Sequence, residues 1–435
     1  MNMKFVELSV NDFEKFAIKH EQITFHQTKE WAELKKTNGW CSYYVGMLKG
    51  KKIVAASLLL AKDTVFNKKM FYAPRGFLID YHDLELLTAF TNEIKKWAKK
   101  KNAIFIKIDP YVMYKEHDLN GDLVPDGIDN SDVVDNLKSL GYRHFGFNLM
   151  QDTLQPRWMH TITVENRSLD DIMKDFESKT RHILRKNEKL GVKTREITRD
   201  EIKLFKDIMQ HTGERRNFID RPLSYYENMW NTLHDSGILK ILIAEVDFDE
   251  EIENTKSEIE KLKFIINERE EMFNNKTVHM NESRYKTNQK NDKDEIEKLK
   301  NNIEKYKSMK KEYGAKPVLG GVLFLIYGNE VLSLFGGSRK ELMSFQSAYT
   351  ILFEGIKYSV EHGYATYNFY GITGDFSESN PLLGLYLFKK GFGGQVVELI
   401  GEFDLIISKW YYHLYKIAFS MYHKLKYLKS ILTRK

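Results

Sequence analysis

The sequence predicts an α/β fold of two similar units in tandem, with a helical arm inserted in the second unit. Helical and strand patterns alternate, and the order of helices, antiparallel hairpin, helix and strand occurs twice. The chain has 435 residues, more than one ordinary core accommodates. A charged segment with heptad spacing at residues 249–313 predicts the arm.

The first unit is predicted at residues 1–148. A Gly-centred connection at 49–51 between two strand patterns indicates an antiparallel hairpin. Amphipathic periodicity indicates the helices, and short apolar runs indicate the other strands. The predicted elements are helices at 12–20 and 29–37, strands at 42–48, 53–62 and 69–73, a helix at 83–101 and a buried strand at 103–108.

The second unit is predicted at 149–397, and its hairpin turns at Gly328-Asn329. No sequence-level repeat links it to the first unit, so the duplication is expected in the structure alone. Its predicted elements are a strand at 160–164, helices at 169–190, 200–212 and 224–233, strands at 240–246, 317–327 and 330–335, a helix at 347–362 and a strand at 366–370.

The arm is predicted as an antiparallel pair of helices joined by a polar connection at 274–293. Glu and Lys fill the faces away from the apolar seam, as in coiled coils. We expect tRNA or partner contact here, although mixed charges differ from a basic phosphate-binding stripe. Apolar residues recur every seven positions on both limbs, at Ile252, Ile259, Ile266 and Phe273 and at Ile296 and Ile303.

Composition narrows the classes of function. The single cysteine, Cys41, excludes a disulfide or a cysteine-based zinc site within one chain, and its place at a strand entry predicts a buried thiol. The 13 His residues lack metal-ligand spacing, so no metal site is expected. The N-terminus lacks a signal-peptide pattern, and no run of about 18 apolar residues occurs. We therefore expect a cytoplasmic chain.

The C-terminal segment, at about 398–435, is predicted to pack on the first unit or to lie on a membrane. No acidic residue follows Asp404, and the net charge of the chain is +6. A basic amphipathic helix suits an anionic membrane surface, and docking of its apolar stripe on the core is the alternative. The stripe consists of Trp410, Leu414, Ile417, Met421, Leu425, Leu428 and Leu432.

Familiar catalytic signatures, such as a P-loop or a dinucleotide-binding loop, do not occur in the sequence. Several segments instead resemble the Fem family of peptidoglycan aminoacyltransferases, of the FemA, FemB, FemX and MurM types. The arm also resembles the helical arm of this family. The most specific segments are 367–376 and 381–394, continued at 398–404, with further matches at 27–31, 108–110, 154–157, 178–181 and 220–226.

The resemblance implies two GNAT-like (acyl-CoA N-acyltransferase-like) units that use aminoacyl-tRNA in place of acetyl-CoA. The implied enzyme moves an amino acid of the Gly, Ala or Ser class to the stem-peptide amine of a peptidoglycan precursor. The acceptor is lipid II or a UDP-linked muropeptide, reached at the inner membrane face. Besides the tRNA co-substrate no cofactor is implied. Whether the enzyme works alone, as a homodimer or with sister Fem-type enzymes stays open.

The resemblance also assigns roles to residues. Lys389 matches the functional lysine of the family and is expected to stabilise charge at the reacting ester or the tRNA end, with Phe388 as a packing or stacking surface. Lys35 and Arg221 match the positions that hold the phosphates of the precursor, and Tyr225 neighbours the sugar or peptide. Ordinary surface lysines are the alternative for Lys35 and Lys389.

Asp109 is the candidate general base, because it ends a strand just before Pro110. The alternative is that it caps a turn or holds backbone amides, and substrate binding or structure is favoured over catalysis. The acceptor amine would then lose its proton to water or to the substrate. Two other functions stay open: a tRNA-dependent aminoacyltransferase with a different acceptor, and a non-catalytic Fem-like binding protein.

Overall fold

The computed structural model describes residues 3–150, 153–216, 218–275 and 281–432. Its strands form two sheets, one of seven strands and one of eight. Helices pack on both sheets, and two long helices are inserted between strands of the second sheet. This architecture confirms the predicted α/β fold of two tandem units with an inserted helical arm.

The secondary structure follows the chain in an alternating order. The strands are β1 (Met3–Glu7), β2 (Cys41–Lys49), β3 (Lys52–Asp63), β4 (Lys69–Ala73), β5 (Ala103–Ile108), β6 (Met113–Glu116), β7 (Tyr142–His144), β8 (Trp158–Thr163), β9 (Lys193–Glu196), β10 (Leu239–Glu245), β11 (Val318–Tyr327), β12 (Glu330–Ser338), β13 (Thr366–Ile372), β14 (Gln395–Leu399) and β15 (Phe403–Ile406). The helices are α1 (Val10–Ala17), α2 (Lys29–Lys36), α3 (Leu84–Lys100), α4 (Ser131–Ser139), α5 (Leu169–Asp175), α6 (Ser178–Lys189), α7 (Ile202–Arg216), α8 (Leu223–Leu233), α9 (Phe248–Asn274), α10 (Glu282–Tyr313), α11 (Ser347–Glu361), α12 (Leu383–Lys390) and α13 (Lys409–Leu432).

The two sheets repeat one arrangement. In the first sheet β2, β3 and β4 are antiparallel neighbours, and β4 pairs in parallel with β5 after the crossover helix α3. In the second sheet β10, β11 and β12 are antiparallel neighbours, and β12 pairs in parallel with β13 after α11. A parallel pair requires such a crossover, which is why each unit contains a long helix between these strands.

Each sheet also contains a strand from the other half of the chain. The order of the first sheet is β1-β2-β3-β4-β5-β15-β7, so β15 lies between strands of the N-terminal half. The order of the second sheet is β6-β14-β8-β13-β12-β11-β10-β9, and its first strand comes from the N-terminal half. The two units are therefore interlocked through backbone pairing, while the predicted division at residue 148 stays a prediction.

One predicted helix is wrong in its extent. The segment 169–190 forms two helices, because Phe176 and Glu177 are extended, with ψ of 142° and 150°. The backbone N–H of Glu177 donates to the carbonyl oxygen of Gly391 at 2.9 Å. The Phe176 ring packs on Phe392 with a centroid distance of 5.3 Å. These contacts with a segment more than 200 residues away break the helical periodicity.

Short elements and one thiol also differ from the expectations. The strands β1, β6, β7, β9, β14 and β15 and the helices α4 and α12 were not predicted, because each is too short to show a clear periodicity. Cys41 is exposed, so the expectation of a buried thiol is wrong. It is the first residue of β2 and pairs with Ala61 at one end of the hairpin.

The arm consists of α9 and α10, which pack together along the predicted seam. Its connection is shorter than predicted, because α10 begins at Glu282 and Asn281 caps it through the backbone N–H of Ser283. The rings of Phe273 and Tyr285 stack near the end of the pair at 4.1 Å. The buried seam residues are Ile252, Ile259 and Ile266 on α9 and Ile296, Leu299, Ile303 and Tyr306 on α10.

The C-terminal helix docks on the first sheet through its initial turns. Tyr412 is buried against Ile104 and Phe105 of β5. The docked face differs from the predicted apolar stripe, since Trp410 and Ile417 are exposed. Within the described ranges, no helix has the length and apolar character needed to cross a membrane.

The turn before β14 gives a test of the fold. Gly394 has φ of 91°, and a Cβ atom there would lie 2.2 Å from the carbonyl oxygen of Thr161 on β8. We expect Gly394→Ala to lower the free energy of unfolding by at least about 2 kcal/mol, because it adds a backbone clash to a strained conformation. Urea denaturation followed by circular dichroism measures the change.

Gly363 provides the matched control for this substitution. It also has a left-handed φ, of 72°, but no atom lies within 4 Å of the position of its Cβ. Gly363→Ala should therefore lower the free energy of unfolding by only about 1 kcal/mol. Equal losses for the two variants would contradict the role of the β8–β14 approach.

Candidate active site

A buried lysine lies close to the end of β13. Lys389 is in the last turn of α12, and only 7% of its surface is exposed, which rules out the surface-lysine alternative for it. Its Nζ donates to the carbonyl oxygen of Gly371 at 2.7 Å and to that of Tyr370 at 3.3 Å. Burial lowers the pKa of Lys389 to about 7. Neutral amine and ammonium forms are therefore both present near neutral pH.

The carbonyl groups that face Lys389 belong to an irregular part of β13. The register with β8 shifts between Asn368 and Gly371, and Tyr370 has a left-handed φ of 64°. This conformation costs a non-glycine residue about 1–2 kcal/mol. The Oδ1 atom of Asn368 accepts a hydrogen bond from the backbone N–H of Tyr370 at 2.7 Å. Lys389 and Asn368 therefore hold the bulge from two sides.

Aromatic rings and a histidine surround the lysine segment. Phe388 contacts Tyr349 edge to face, with a centroid distance of 4.8 Å and an interplanar angle of 88°. The Nε2 atom of His160 donates to the carbonyl oxygen of Gly393 at 2.7 Å. Burial, together with the nearby charge of Lys389, lowers the pKa of His160 to about 4. His160 is therefore neutral at neutral pH and positions the turn after α12.

Asp109 lies at the equivalent end of the first parallel strand pair. Its Oδ1 accepts the backbone N–H of Arg75 at 2.7 Å, and its Oδ2 accepts the hydroxyl of Tyr72 at 3.0 Å. Burial raises the pKa of Asp109 to about 7, although the Arg75 charge acts in the opposite direction. Both oxygens thus have local donors, and the carboxyl group holds the turn after β4. Its catalytic role stays a prediction.

Arg75, in this turn, connects the two halves of the chain. It is 2% exposed, and its guanidinium donates to the carbonyl oxygen of Pro156 at 3.1 Å. It also lies over the ring of Tyr111 at 5.3 Å. The Tyr111 hydroxyl donates in turn to the carboxylate of Glu330 at 2.8 Å, at the start of β12. Polar contacts therefore fix the first unit against the second at the site.

Lys35, Lys62 and Arg221 form what we call the cationic cluster. Burial, with the charges of Arg221 and Lys62, lowers the pKa of Lys35 to about 8. Lys35 lies over the Trp31 ring at 4.2 Å, and Arg221 lies over the Tyr225 ring at 5.4 Å. Within the described residues no carboxylate forms an ion pair with these three cations. Neighbouring cations without a carboxylate partner are suited to bind an anion.

Tyr370 neighbours both the buried lysine and Tyr225, whose ring lies under Arg221 of the cationic cluster. Its backbone carbonyl faces Lys389, and its hydroxyl donates to Oε1 of Gln155 at 2.5 Å. Burial raises the pKa of Tyr370, and Arg75, Asp109 and Tyr225 are among its electrostatic neighbours. The residues assigned from the resemblance thus lie in one connected region at the junction of the two units.

The structure groups the assigned residues into two parts of this region. Lys35, Arg221 and Tyr225 meet where α2 packs against α8, and Phe388 and Lys389 lie on α12. Asp109 accepts a hydrogen bond from Arg75, and both residues are electrostatic neighbours of Tyr370. Sequence reasoning did not single out Arg75, Lys62, His160 or Tyr370. The sequence offered a signal for two of them. Arg75 lies in a Pro-Arg-Gly turn after a predicted strand, and Lys62 is a cation at the end of a predicted strand.

Comparisons with known proteins extend over nearly the whole chain. A model of the FemAB family matches residues 8–420. Aminoacyltransferase FemA of Staphylococcus epidermidis is 32% identical over 416 residues, which cover 95% of this chain and 98% of that protein. Aminoacyltransferase FemA of Staphylococcus aureus strain bovine RF122 / ET3-1 is 30% identical over 415 residues, with coverage of 95% and 97%.

A solved structure agrees with these sequence matches. The crystal structure of FemX superposes with a TM-score of 0.82 at 28% identity, covering 94% of this chain and 99% of that chain. Fold and sequence together define this protein as an aminoacyltransferase. The chain belongs to the FemAB family, as the resemblance of its motifs predicted.

Anion binding at the cationic cluster can be tested without any enzymatic substrate. We expect inorganic pyrophosphate to raise the midpoint of thermal unfolding by about 1–2 °C, because it relieves the repulsion among Lys35, Lys62 and Arg221. The shift should disappear in Arg221→Ala and in Lys35→Ala. Differential scanning fluorimetry over a pyrophosphate titration measures it.

Lys36 supplies the control for this measurement. It neighbours Lys35 in the sequence, but it is exposed and pairs with Glu33 at 2.5 Å. Lys36→Ala should retain the full shift of the parent protein. An equal loss of the shift in Lys36→Ala and Arg221→Ala would show that pyrophosphate acts through general surface charge and would contradict a site at the cluster.

Proposed function

We propose that this aminoacyltransferase moves an amino acid from charged tRNA to the stem-peptide amine of a peptidoglycan precursor and thereby extends the interpeptide bridge. The observation that carries the proposal is that Tyr370 accepts from buried Lys389 and also neighbours Tyr225, whose ring lies under Arg221 of the cationic cluster. The relatives named aminoacyltransferase FemA support it. The amino acid belongs to the Gly, Ala or Ser class, and the reaction takes place in the cytoplasm.

The cationic cluster would anchor the acceptor through its phosphates. Lipid II and UDP-linked muropeptides both carry a diphosphate, and the spread of three cations suits two phosphate groups. Arg221 would grip oxygens in a bidentate manner, while Lys35 and Lys62 would act as point charges. Tyr225, under the guanidinium of Arg221, would then border the part of the acceptor nearest the diphosphate.

The reaction is aminolysis of the tRNA ester, and it has three physical requirements. The two substrates must be held together, which supplies several kcal/mol when the geometry is favourable. The attacking ammonium must lose a proton, because a lysine-like amine with a pKa of about 10.4 is mostly protonated at neutral pH. The tetrahedral intermediate needs a donor for its oxyanion.

Lys389 would first accept the proton of the attacking ammonium and then donate to the oxyanion. Its neutral amine donates both N–H groups to the carbonyls of Tyr370 and Gly371, which leaves its lone pair to accept a proton from the attacking ammonium. The resulting ammonium donates to the oxyanion while the new C–N bond forms. As the ester C–O bond breaks, Lys389 returns a proton to the 3′-oxygen of the tRNA. The nitrogen then loses its remaining extra proton to solvent.

Asp109 has a supporting role in this proposal. Its two oxygens accept from Arg75 and Tyr72, so it would hold the turn that carries Arg75 beside Tyr370. Phe388 would keep water from Lys389, because its ring is held edge to face on Tyr349 next to the lysine. A dry environment maintains the low pKa of the amine on which the proton transfer depends.

Transfer of radiolabelled amino acids from a mixed charged-tRNA pool tests the proposed function. We expect label on lipid II or on the UDP-linked precursor, and its loss after RNase treatment of the tRNA. Single amino acids tested one at a time would then identify the donor. Folded protein that labels neither acceptor would contradict the proposal and favour a different acceptor or a binding protein.

The pH dependence of transfer tests the role of Lys389. We expect the parent single-turnover rate to rise about tenfold between pH 6 and pH 8, because the neutral fraction of an amine with a pKa of about 7 rises by this factor. Lys389→Met lacks this proton acceptor and should react only with an acceptor amine that is already neutral, so its lower rate should rise about 100-fold over the same range. Lys389→Arg should lower the rate at least about 100-fold, since a guanidinium does not release its proton.

Lys390 provides the control for this series. It is adjacent to Lys389, but its amine donates to Oδ1 of Asn120 at 2.8 Å and makes no contact with the β13 bulge. Lys390→Met should keep the parent rate and its pH profile. A parent rate that rises about 100-fold between pH 6 and pH 8, as steeply as that of Lys389→Met, would overturn the proton-acceptor role.

A further inference from the structure

The docked and outward faces of α13 differ in their surroundings. The hydroxyl of Tyr412 donates to Oδ2 of Asp404 at 2.7 Å, and Phe105 contacts the Tyr412 and Tyr415 rings at 5.4 and 5.2 Å. A tyrosine hydrogen bond and ring packing thus orient the helix on the first sheet. This orientation directs the opposite side, with Trp410, Ile417 and Met421, away from the core.

The outward face is apolar and exposed. Trp410 is 69% exposed, Ile417 is 46% exposed and Met421 is 58% exposed. Because these residues are spaced by seven and four positions, they lie on one side of the helix. A contiguous exposed apolar stripe on a helix marks an interaction surface, whereas single exposed apolar residues do not.

A turn of the first unit adds an aromatic side chain to this face. Phe66 is 63% exposed, and its ring centroid is 6.1 Å from that of Tyr411 on α13. Phe66 and Asn67 both have left-handed φ, of 59° and 54°, and Thr64 closes the turn through hydrogen bonds to the carbonyl of Lys68. The backbone therefore bears local strain at a position that directs a large aromatic ring outward.

The charges around this face are predominantly positive. Lys68 lies over the Tyr411 ring at 4.7 Å, and Lys416 lies over the Phe145 ring at 5.2 Å. Lys409 begins the helix, and no acidic residue follows Asp404, which is buried. Asp63 is an exposed carboxylate near the turn, and Lys69 pairs with it at 3.5 Å.

We propose that Phe66 and the outward face of α13 form a lipid-docking surface that binds an anionic bilayer. Aromatic and aliphatic side chains would enter the acyl boundary, while the flanking lysines would contact the headgroups. A second copy of the chain fits less well, because two such faces would bring lysines of like charge together. Charge complementarity therefore favours the bilayer as the occupant.

The position of this surface suggests how the enzyme would reach its acceptor, an argument that rests on the proposed function. Lys62 of the cationic cluster is four residues from Phe66, so their Cα atoms are at most about 14 Å apart. Docking would therefore place the cluster near the headgroup level, where the diphosphate of a lipid-linked acceptor emerges. The surface would bring the site to lipid II and leave a nucleotide-linked acceptor unaffected.

Co-sedimentation with vesicles tests the surface without any acceptor. We expect the parent protein to bind vesicles of mixed phosphatidylglycerol and phosphatidylcholine, and to bind pure phosphatidylcholine vesicles at least about tenfold more weakly. Phe66→Ser/Ile417→Ser should lower the partition coefficient on anionic vesicles at least about tenfold. Lys409→Gln/Lys416→Gln should lower it about tenfold and weaken its dependence on salt.

The arm offers a matched control pair. Phe264 and Ile265 on α9 are 62% and 43% exposed, close to the 63% and 46% of Phe66 and Ile417. Phe264→Ser/Ile265→Ser should bind vesicles like the parent protein. Brominated lipids should quench Trp410, and Trp410→Phe should remove this quenching while leaving the fluorescence of the buried tryptophans.

Several outcomes would overturn the lipid-docking surface. One is that the parent protein does not bind vesicles, or binds neutral and anionic vesicles equally. Another is that Phe66→Ser/Ile417→Ser binds anionic vesicles like the parent protein, or that Phe264→Ser/Ile265→Ser loses as much binding as this double variant does. A parent dimer that Phe66→Ser/Ile417→Ser dissociates, with no change in vesicle binding, would assign the face to a second copy. If all variants bind vesicles as expected but the protein transfers no amino acid to either acceptor, the lipid-docking surface is supported and the proposed function is refuted.

Discussion

The exchange of strands between the two units is the constraint on which the candidate site depends. β15 completes the first sheet between β5 and β7, and β6 pairs with β14 at the edge of the second. Opening the junction would break backbone hydrogen bonds in both sheets, so the units are held in one relative position. Arg75, whose guanidinium reaches Pro156, and Tyr111, whose hydroxyl reaches Glu330, can therefore be placed to within hydrogen-bond distance across the junction.

The site combines charges that are unfavourable in the free protein. Among the residues that the structure describes, no carboxylate pairs with buried Lys389, and Lys35 lies near two other cations. Burial and repulsion both favour the neutral amine, so each lysine loses part of its affinity for a proton. The instability is offset elsewhere, by the cores on both sheets and by the carbonyls that accept from Lys389. Unfavourable charge in the free enzyme is consistent with binding an anionic acceptor and with moving a proton.

The resemblance assigned candidate site residues only where they lie in specific motifs. Lys389 and Phe388 were assigned from the segment 381–394, and Lys35, Arg221 and Tyr225 from shorter matches. The lowered pKa of Lys389 was not foreseeable, because it depends on the fold of β13 around the left-handed Tyr370. Arg75 and His160 were missed for a related reason: their partners, Pro156 and Gly393, are distant in the sequence.

Local periodicity determined the crossover helices α3 and α11, the two hairpins and the seam of the arm, because each of these elements has a regular apolar pattern of its own. The break between α5 and α6, the exposure of Cys41, the docked face of α13 and the pairing of β15 were decided by tertiary structure. These features depend on contacts between segments far apart in the chain, such as Glu177 with Gly391. Long-range packing selects among local conformations of similar free energy, and a local sequence pattern does not show which of them is selected.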